Sequence, residues 1–411
     1  MISSEDRVLI ISHGHPDLNK GGAEIAAYNM FQEYRRRDID AFFLARTGQT
    51  PHGGASFSTR NNSHREIMFH TTMDDGFLYS NIKTRQLWQE FREMLLAIKP
   101  TIVHVHHYVL MGVEILEEIK NTLPDCKLVF TIHEFLAICH RNGLMLKTDG
   151  KLCYKSSPRD CHSCFPDKQP GDFFLREKYF KSIFENVDDF VSPSHFLKQR
   201  YVDWGLNEEK IKVVENGQPV PVEITKIEAN NKKVSFAFFG QVNPFKGIRV
   251  LLDAIKYLDK KTQNLISLDI HGANIENQSA KFKKYVSEAI KNSKVAINFH
   301  GSYEPHEMPT LLAEADWAIV PSIWWENSPM VIQEAFNYDV PLIVSDIGGM
   351  AEKVKHGVTG IHFRAGKPLA LANAIEQVVS NPELRTNCIK NIEKPLSISK
   401  CADVHLELYK G

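Results

Sequence analysis

The chain lacks an excess of either charge. Its 49 lysines and arginines against 50 aspartates and glutamates leave a formal net charge of -1, so no overall field recruits nucleic acid or an anionic membrane. It also lacks a long apolar run. Stretches such as KLVFTIHEFLAI are too short and too interrupted to span a bilayer. The opening MISSEDRVLIIS puts acids ahead of a short apolar run, the reverse of a secretory leader. These absences create the expectation of a cytoplasmic protein with at most peripheral contact with the inner face of the membrane. Seven cysteines in 411 residues are too few for a secreted disulfide scaffold and point to free thiols or a metal site. No G-x-G-x-x-G follows the first apolar run, which disfavours a dinucleotide-dependent oxidoreductase.

What is present is ordinary for a globular protein: 43% hydrophobic and 24% charged residues, in a chain longer than one core usually organises. β-branched and aromatic runs alternate with amphipathic stretches, the pattern of parallel sheets covered by helices. The first half predicts strands at 7 to 12, 41 to 46, 101 to 106, 127 to 132, 190 to 194 and 211 to 216. GQPVPVEITKIEANNKK then reads as a linker. The second half predicts strands at 234 to 240, 265 to 272, 296 to 301, 317 to 322, 341 to 346 and 360 to 365, with helices at 247 to 258 and 305 to 315. We expect two doubly wound, Rossmann-like α/β domains facing across a cleft that holds the site. Their bounds are 1–217 and 218–389, with a helix at about 390–411 packing back on the first.

One short stretch, WWENSPMVIQEAF (324 to 336), carries two acids around a helix start. Ser328 before Pro329 predicts an N-cap followed by a first helical residue. The amides of Met330 and Val331 then make an anion seat at the positive end of the dipole. Glu326 precedes this seat and Glu334 lies within the helix, so each can reach a different side of a bound phosphate. The alternative is a loop acid and a helix acid paired with a neighbour. FFGQVNPFKG (238 to 247) reads as a strand, a glycine turn and a lysine, Lys246, at the mouth of the next helix, where it can serve as a point charge for phosphate.

FFGQVNPFKG, HGSYEPHEMPTLLAEADWAIVPS, ENSPMVIQEAF and VPLIVSDIGGMAEKVKHGVTGIHF resemble the C-terminal domain of the family-4 retaining glycosyltransferases (glycosyl transferases group 1), which have the GT-B fold. GGAE, FTIHE, SPSHF and VVENG resemble the same family's N-terminal half. The resemblance implies a nucleotide-diphosphate sugar donor, a UDP-sugar among others, bound mainly by the second domain. It implies a glycan, lipid-linked or other hydroxyl acceptor held mainly by the first. Carried over by position, Glu334 would accept the ribose hydroxyls and Glu326 would face the donor sugar. Lys246 would take diphosphate oxygens together with the helix start at Asn327, Ser328, Pro329, Met330 and Val331. Gly21 and Gly22 would let the first loop approach the phosphate, Gly240 and Gln241 would line the diphosphate seat, Gly301 and Tyr303 would border the base, and His133 would lie near the reacting carbon. Gln241 departs from the family, which commonly has arginine there, so the seat would rest more heavily on Lys246 and the helix dipole. Retention by front-face attack implies stabilisation of the departing diphosphate and positioning, without a protein nucleophile. An epimerase of the same fold and a non-catalytic nucleotide-sugar-binding subunit are the alternatives.

Other signals point elsewhere. Histidines gather at strand ends, in SHGHP, HVHHY and His133, a pattern shared with metal hydrolases. DID at 38 to 40 mimics an Asp-x-Asp metal motif, but it precedes its strand and reads as a turn. No cofactor is expected for catalysis, which should survive a chelator. Cys139, Cys153, Cys161 and Cys164 concentrate in a polar insertion, and CHSC supplies a Cys-x-x-Cys pair, so a structural zinc is set against four unligated thiols, with His140 or His162 as substitute ligands. FFLREKYFKSIFENV (173 to 187) spaces aromatics helically between basic residues, which fits a core face better than a membrane-touching one.

Overall fold

Residues 6–19, 21–49, 54–81, 85–224 and 233–410 are described in a computed structural model of the chain. The first residues of MISSEDRVLIIS and part of the expected linker GQPVPVEITKIEANNKK lie outside them. Contacts divide the chain into one unit of Met1–Gly217 with Leu396–Gly411 and a second of Gln218–Pro395. Among the described residues, no helix is long and apolar enough to cross a membrane.

The first unit holds β1 (Arg7–Ser12), β2 (Asp40–Thr47), β3 (Phe57–Arg60), β4 (Ser63–His70), β5 (Ile102–Val105), β6 (Lys127–Thr131), β7 (Asp189–Ser192) and β8 (Ile211–Val213). Their order is β3-β4-β2-β1-β5-β6-β7-β8, parallel except for β3 against β4. Central strands are buried on both faces, as in Ile102–Val105, which explains their unbroken apolar runs. The β3–β4 hairpin has no counterpart among the expected strands. Asn61 and Asn62 connect it with φ of 54° and 53°, both left-handed, as a two-residue hairpin turn requires. Apart from Phe57, Ile67, Met68 and Phe69 its strands are mainly polar, so apolar runs alone do not reveal it.

The second unit holds β9 (Val234–Phe239), β10 (Ile266–His271), β11 (Ala296–Gly301), β12 (Trp317–Val320), β13 (Leu342–Ser345) and β14 (Gly360–Phe363). Its order is β11-β10-β9-β12-β13-β14, with every pair parallel. Alternate residues of β9 feed two cores: Phe236 and Phe238 pack with the helix Ile248–Tyr257 on one face, while Ala237 and Phe239 pack with the helix Met330–Asn337 on the other. This is the strand's period of two.

The C-terminal region forms two helices, Pro382–Asn391 in the second unit and Ile398–Leu408 in the first. The latter packs on the helix Gly22–Arg36: the Tyr34 hydroxyl donates to that of Tyr409 at 3.1 Å, and Arg37 pairs with Asp403 at 2.5 Å. A Cβ on Gly217 would lie 2.7 Å from Ile398 Cα, so that close approach needs glycine.

Each sheet has a topological switch point where its strand order reverses, between β1 and β5 and between β9 and β12, the place where such folds bind ligands at their strands' carboxyl ends. At the second, Gly247 has φ of 75° and a Cβ there would stand 1.8 Å from the Pro321 carbonyl oxygen. The loops after β9 and β12 can meet only because that side chain is absent. Gly247→Ala is expected to destabilise the second unit by about 3 kcal/mol, seen as a lowered midpoint in thermal unfolding. An unchanged midpoint would contradict the contact.

Candidate active site

The turn after β9 is closed by Asn243, whose side-chain oxygen accepts from the amides of Phe245 and Lys246, each at 2.9 Å. This Asx-type turn presents Lys246 to the loop after β12, where the Ile323 amide donates to the Phe245 carbonyl at 2.9 Å. Lys246 Nζ meets Glu326 Oε1 at 2.8 Å, with the carboxylate side chain 9% and the ammonium side chain 27% exposed. Ser322 Oγ and Trp324 Nε1 donate to the same oxygen at 2.7 Å and 2.8 Å. Burial pushes the Glu326 carboxyl up, but the Lys246 charge and these hydrogen bonds outweigh it, and the group titrates below the ordinary value. It is held as a carboxylate.

Lys246 and Glu326, expected to grip separate parts of a ligand, are thus joined to each other here. A second correction concerns the helix start. Ser328 does not cap it: its Oγ is buried without a hydrogen-bond partner, and Pro329 occupies the N-cap position with φ of -63° and ψ of 117°. The helix runs Met330–Asn337, so Met330 and Val331 are its first residues and their amides belong to the turn that an α-helix leaves without internal partners. The Glu326 carbonyl accepts from the Gly349 amide at 2.6 Å, and a Cβ on Gly349 would stand 2.0 Å from the Asn327 carbonyl oxygen. The second glycine of IGGM therefore fixes the loop that carries Glu326 and Asn327.

Glu334 lies on the helix's second turn, away from the Lys246 pair and close enough to Tyr303 for its charge to bear on the phenol. Burial pushes the Glu334 carboxyl up to about 7. Tyr303 packs edge-on against Phe239 and His271, with centroids 5.9 Å and 6.3 Å apart. Phe239, His271 and His300 stack across β9, β10 and β11 at 5.1 Å and 4.4 Å. Gly301 ends β11 and Gly240 directly follows β9, with φ of 80° and 133°, and Gln241 is exposed beside Gly240.

In the first unit, Gly21 is the N-cap and Gly22 the first residue of the helix Gly22–Arg36. Glu24 in its first turn pairs with His13 Nε2 at 3.1 Å. His13 packs on His107 with centroids 4.2 Å apart, and His107 Nε2 lies 3.6 Å from Glu134. His133 is two residues beyond β6, and its Nε2 is 3.1 Å from His106 Nδ1. Burial lowers the His133 pKa to about 3, with His13 adding to the effect and Glu24 opposing it; its imidazole is neutral near pH 7. Burial pushes Glu134 up to about 8, against a hydrogen bond from the Leu136 amide and the charge of Arg176. Glu24 and Glu134 were not expected as site residues, although GGAE and IHE contain them. Ser322 and Trp324 carried no signal, because only folding of the loop brings them to Glu326.

The four clustered cysteines are not disulfide-bonded and line one small cavity. Among the described residues, no group of three or more His, Cys, Asp or Glu side chains is set to hold a metal ion. His162 Nδ1 is engaged by the Lys168 carbonyl at 2.7 Å. In DID, Asp38 takes a left-handed turn with φ of 59°, and Asp40 starts β2, bound by Arg7 at 2.6 Å and by Arg65. Of the aromatic stretch, Phe173, Phe180, Ile183 and Phe184 are buried, while Phe174 and Leu175 are 51% and 64% exposed.

Two doubly wound units with polar groups at both switch points define a class, the GT-B proteins, and sequence comparison identifies the family. Residues 20–219 match the description Glycosyltransferase Family 4 and residues 221–395 match Glycosyl transferases group 1. The chain belongs to the family-4, group 1 glycosyltransferases. It is 29% identical to an uncharacterized 41.2 kDa protein in the cps region of Klebsiella pneumoniae, over 43% of this chain and 48% of that one. It is 28% identical to the lipopolysaccharide 1,2-N-acetylglucosaminetransferase of Salmonella typhimurium, over 47% and 53%. The chain spans about half the length of these curated relatives. Anabaena HepE, solved in complex with UDP and glucose, superposes with a TM-score of 0.68 at 17% identity, covering 99% of this chain and 100% of that one; this likeness concerns the fold.

The raised Glu334 carboxyl has a thermodynamic consequence. Unfolded, it ionises near 4.5; folded, near 7. Its contribution to stability therefore falls as pH rises between those values, because the unfolded state loses its proton first. In Glu334→Gln this loss disappears, so the Tm of the variant minus that of the wild type should rise between pH 4.5 and pH 7.5. A flat difference would contradict the burial of Glu334.

Proposed function

We propose that this chain transfers a sugar from a nucleotide-diphosphate sugar to a glycan, lipid-linked or other hydroxyl acceptor with retention of anomeric configuration, in the assembly of a surface polysaccharide or other glycoconjugate. The observation that carries this is the buttressed Lys246–Glu326 pair at the second switch point, beside the start of the helix Met330–Asn337. A fixed cation and helix amides suit a diphosphate. The ligands of Anabaena HepE favour UDP as the nucleotide, and the Klebsiella and Salmonella relatives favour a surface-glycan acceptor.

In this proposal Glu326 orients Lys246, whose remaining protons face the diphosphate, and also meets the donor sugar. The Met330 and Val331 amides, with Asn327 and the orphaned Ser328 hydroxyl, complete the phosphate seat. Glu334 accepts the ribose hydroxyls, while Tyr303, Gly301 and the stacked His300 border the base. Gly240 and Gln241 line the approach to the diphosphate, and Gly21, Gly22 and the neutral His133 are the first unit's contribution to the proposed reaction. Charge developing on the leaving diphosphate is stabilised by Lys246 and the helix start, and its oxygen takes the acceptor proton as the new glycosidic bond forms. The proposed chemistry requires no divalent cation and no protein nucleophile. Contact with a membrane carrying a lipid-linked acceptor would be peripheral.

The test is turnover with a panel of UDP, GDP and ADP sugars. Lys246→Ala should lower kcat by about a hundredfold or more, and Glu326→Ala by a similar factor, since it releases the lysine. The double variant should lose little beyond either single one, because the pair acts as a unit. Glu334→Ala should instead raise KM for the donor. Near-normal transfer by Lys246→Ala would overturn its role, and an inverted product by NMR would overturn retention. Interconversion of the donor sugar would identify an epimerase, and binding without turnover a non-catalytic subunit.

A further inference from the structure

The insertion after β6 brings four thiols to one place from separate stretches of chain. Cys139 sits in a turn whose amide donates to the Phe135 carbonyl at 2.8 Å. Cys153 follows the Leu146–Leu152 bridge and is tied by its amide to the Met145 carbonyl at 2.8 Å. Cys161 and Cys164 lie three residues apart on the helix Pro158–Cys164, hence on one face. All four line a single cavity of about 30 Å³, above the roughly 10 to 15 Å³ of one water-sized sphere and too small for a sugar. Each thiol also lies within electrostatic reach of the other three.

Two further features indicate what the cluster is for. The helix Pro158–Cys164 buries no residue, so apolar packing of its own does not hold this segment in place. Arg176, a buried guanidinium pinned by the carbonyls of Phe77 at 2.8 Å and Ala137 at 2.6 Å, is electrostatically coupled to Cys139 and Cys161. A buried cation beside thiols suits a centre whose net charge is negative, as that of one Zn²⁺ with four thiolates is.

We propose that Cys139, Cys153, Cys161 and Cys164 bind one Zn²⁺ ion as a structural, all-thiolate site that staples the insertion. As they stand the thiols are not set to hold an ion, so ligation in this proposal requires the sulfurs to move to about 2.3 Å from the metal. Each thiol passes its proton to solvent as its sulfur ligates, and zinc affinity therefore rises with pH.

The test uses the full chain. Elemental analysis of protein expressed with added zinc should find about one zinc per chain, and Cys161→Ser/Cys164→Ser should lose it. If that variant fails to fold, the wild type decides: stripped of metal under reducing, anaerobic conditions and titrated with Co²⁺, it should develop thiolate-to-cobalt charge-transfer absorption and the visible bands of tetrahedral cobalt, both abolished by Zn²⁺. Absence of those bands overturns the proposal, as does zinc retained at full stoichiometry by the double variant.

Discussion

A carboxylate taken out of water is tolerated only where cations and donors replace its hydration, and Glu326 has such replacements on one oxygen: Lys246, Ser322 and Trp324. The desolvation cost of an unpaired charge amounts to several kcal/mol, so these groups need one another. That requirement organises the second unit's switch point. The Asn243 turn delivers Lys246, Gly247 lets the lysine's loop touch Pro321, and Gly349 holds the backbone of Glu326. The helix Met330–Asn337 begins directly after this loop, so the segment that carries Glu326 leads straight into its first amides.

The first unit solves a different electrostatic problem. Desolvation drives three of its buried histidines, His104, His106 and His107, far below their ordinary values. His104 bonds Thr131 and the Tyr409 hydroxyl, each at 2.6 Å, which ties the C-terminal helix to the centre of the sheet. His133 and His106 share a hydrogen bond, while His13, His15 and His107 face the carboxyl groups of Glu24, Glu66 and Glu134. A histidine-rich set of strand ends is thus buried, with His104, His106, His107 and His133 held neutral by desolvation.

Much of this was legible beforehand because burial on both faces writes parallel strands as continuous apolar runs. Every expected strand is present, with ends differing by a residue or a few. The β3–β4 hairpin escaped because its strands mix polar and apolar residues and its Asn-Asn turn is a local signal. At the site, Lys246, Glu326 and Glu334 were identifiable from residue type and their place next to predicted helices. Ser328 misled for a physical reason: a Ser-Pro pair fits a cap followed by a first helical residue, but the observed backbone places proline at the cap and turns the hydroxyl inward.

By itself the sequence determined the class of fold and the family, and it supplied the short list of groups proposed to meet a diphosphate, because periodicity, glycine placement and charge type are properties of short stretches. The tertiary structure decided how those groups combine. The pairing of Lys246 with Glu326 spans 80 positions and depends on two loops approaching more closely than any side chain at Gly247 would allow. The gathering of four thiols in one cavity depends likewise on where the segments of Cys139 and Cys153 and the helix Pro158–Cys164 come to rest. Contacts of that kind arise from packing, and no local pattern encodes them.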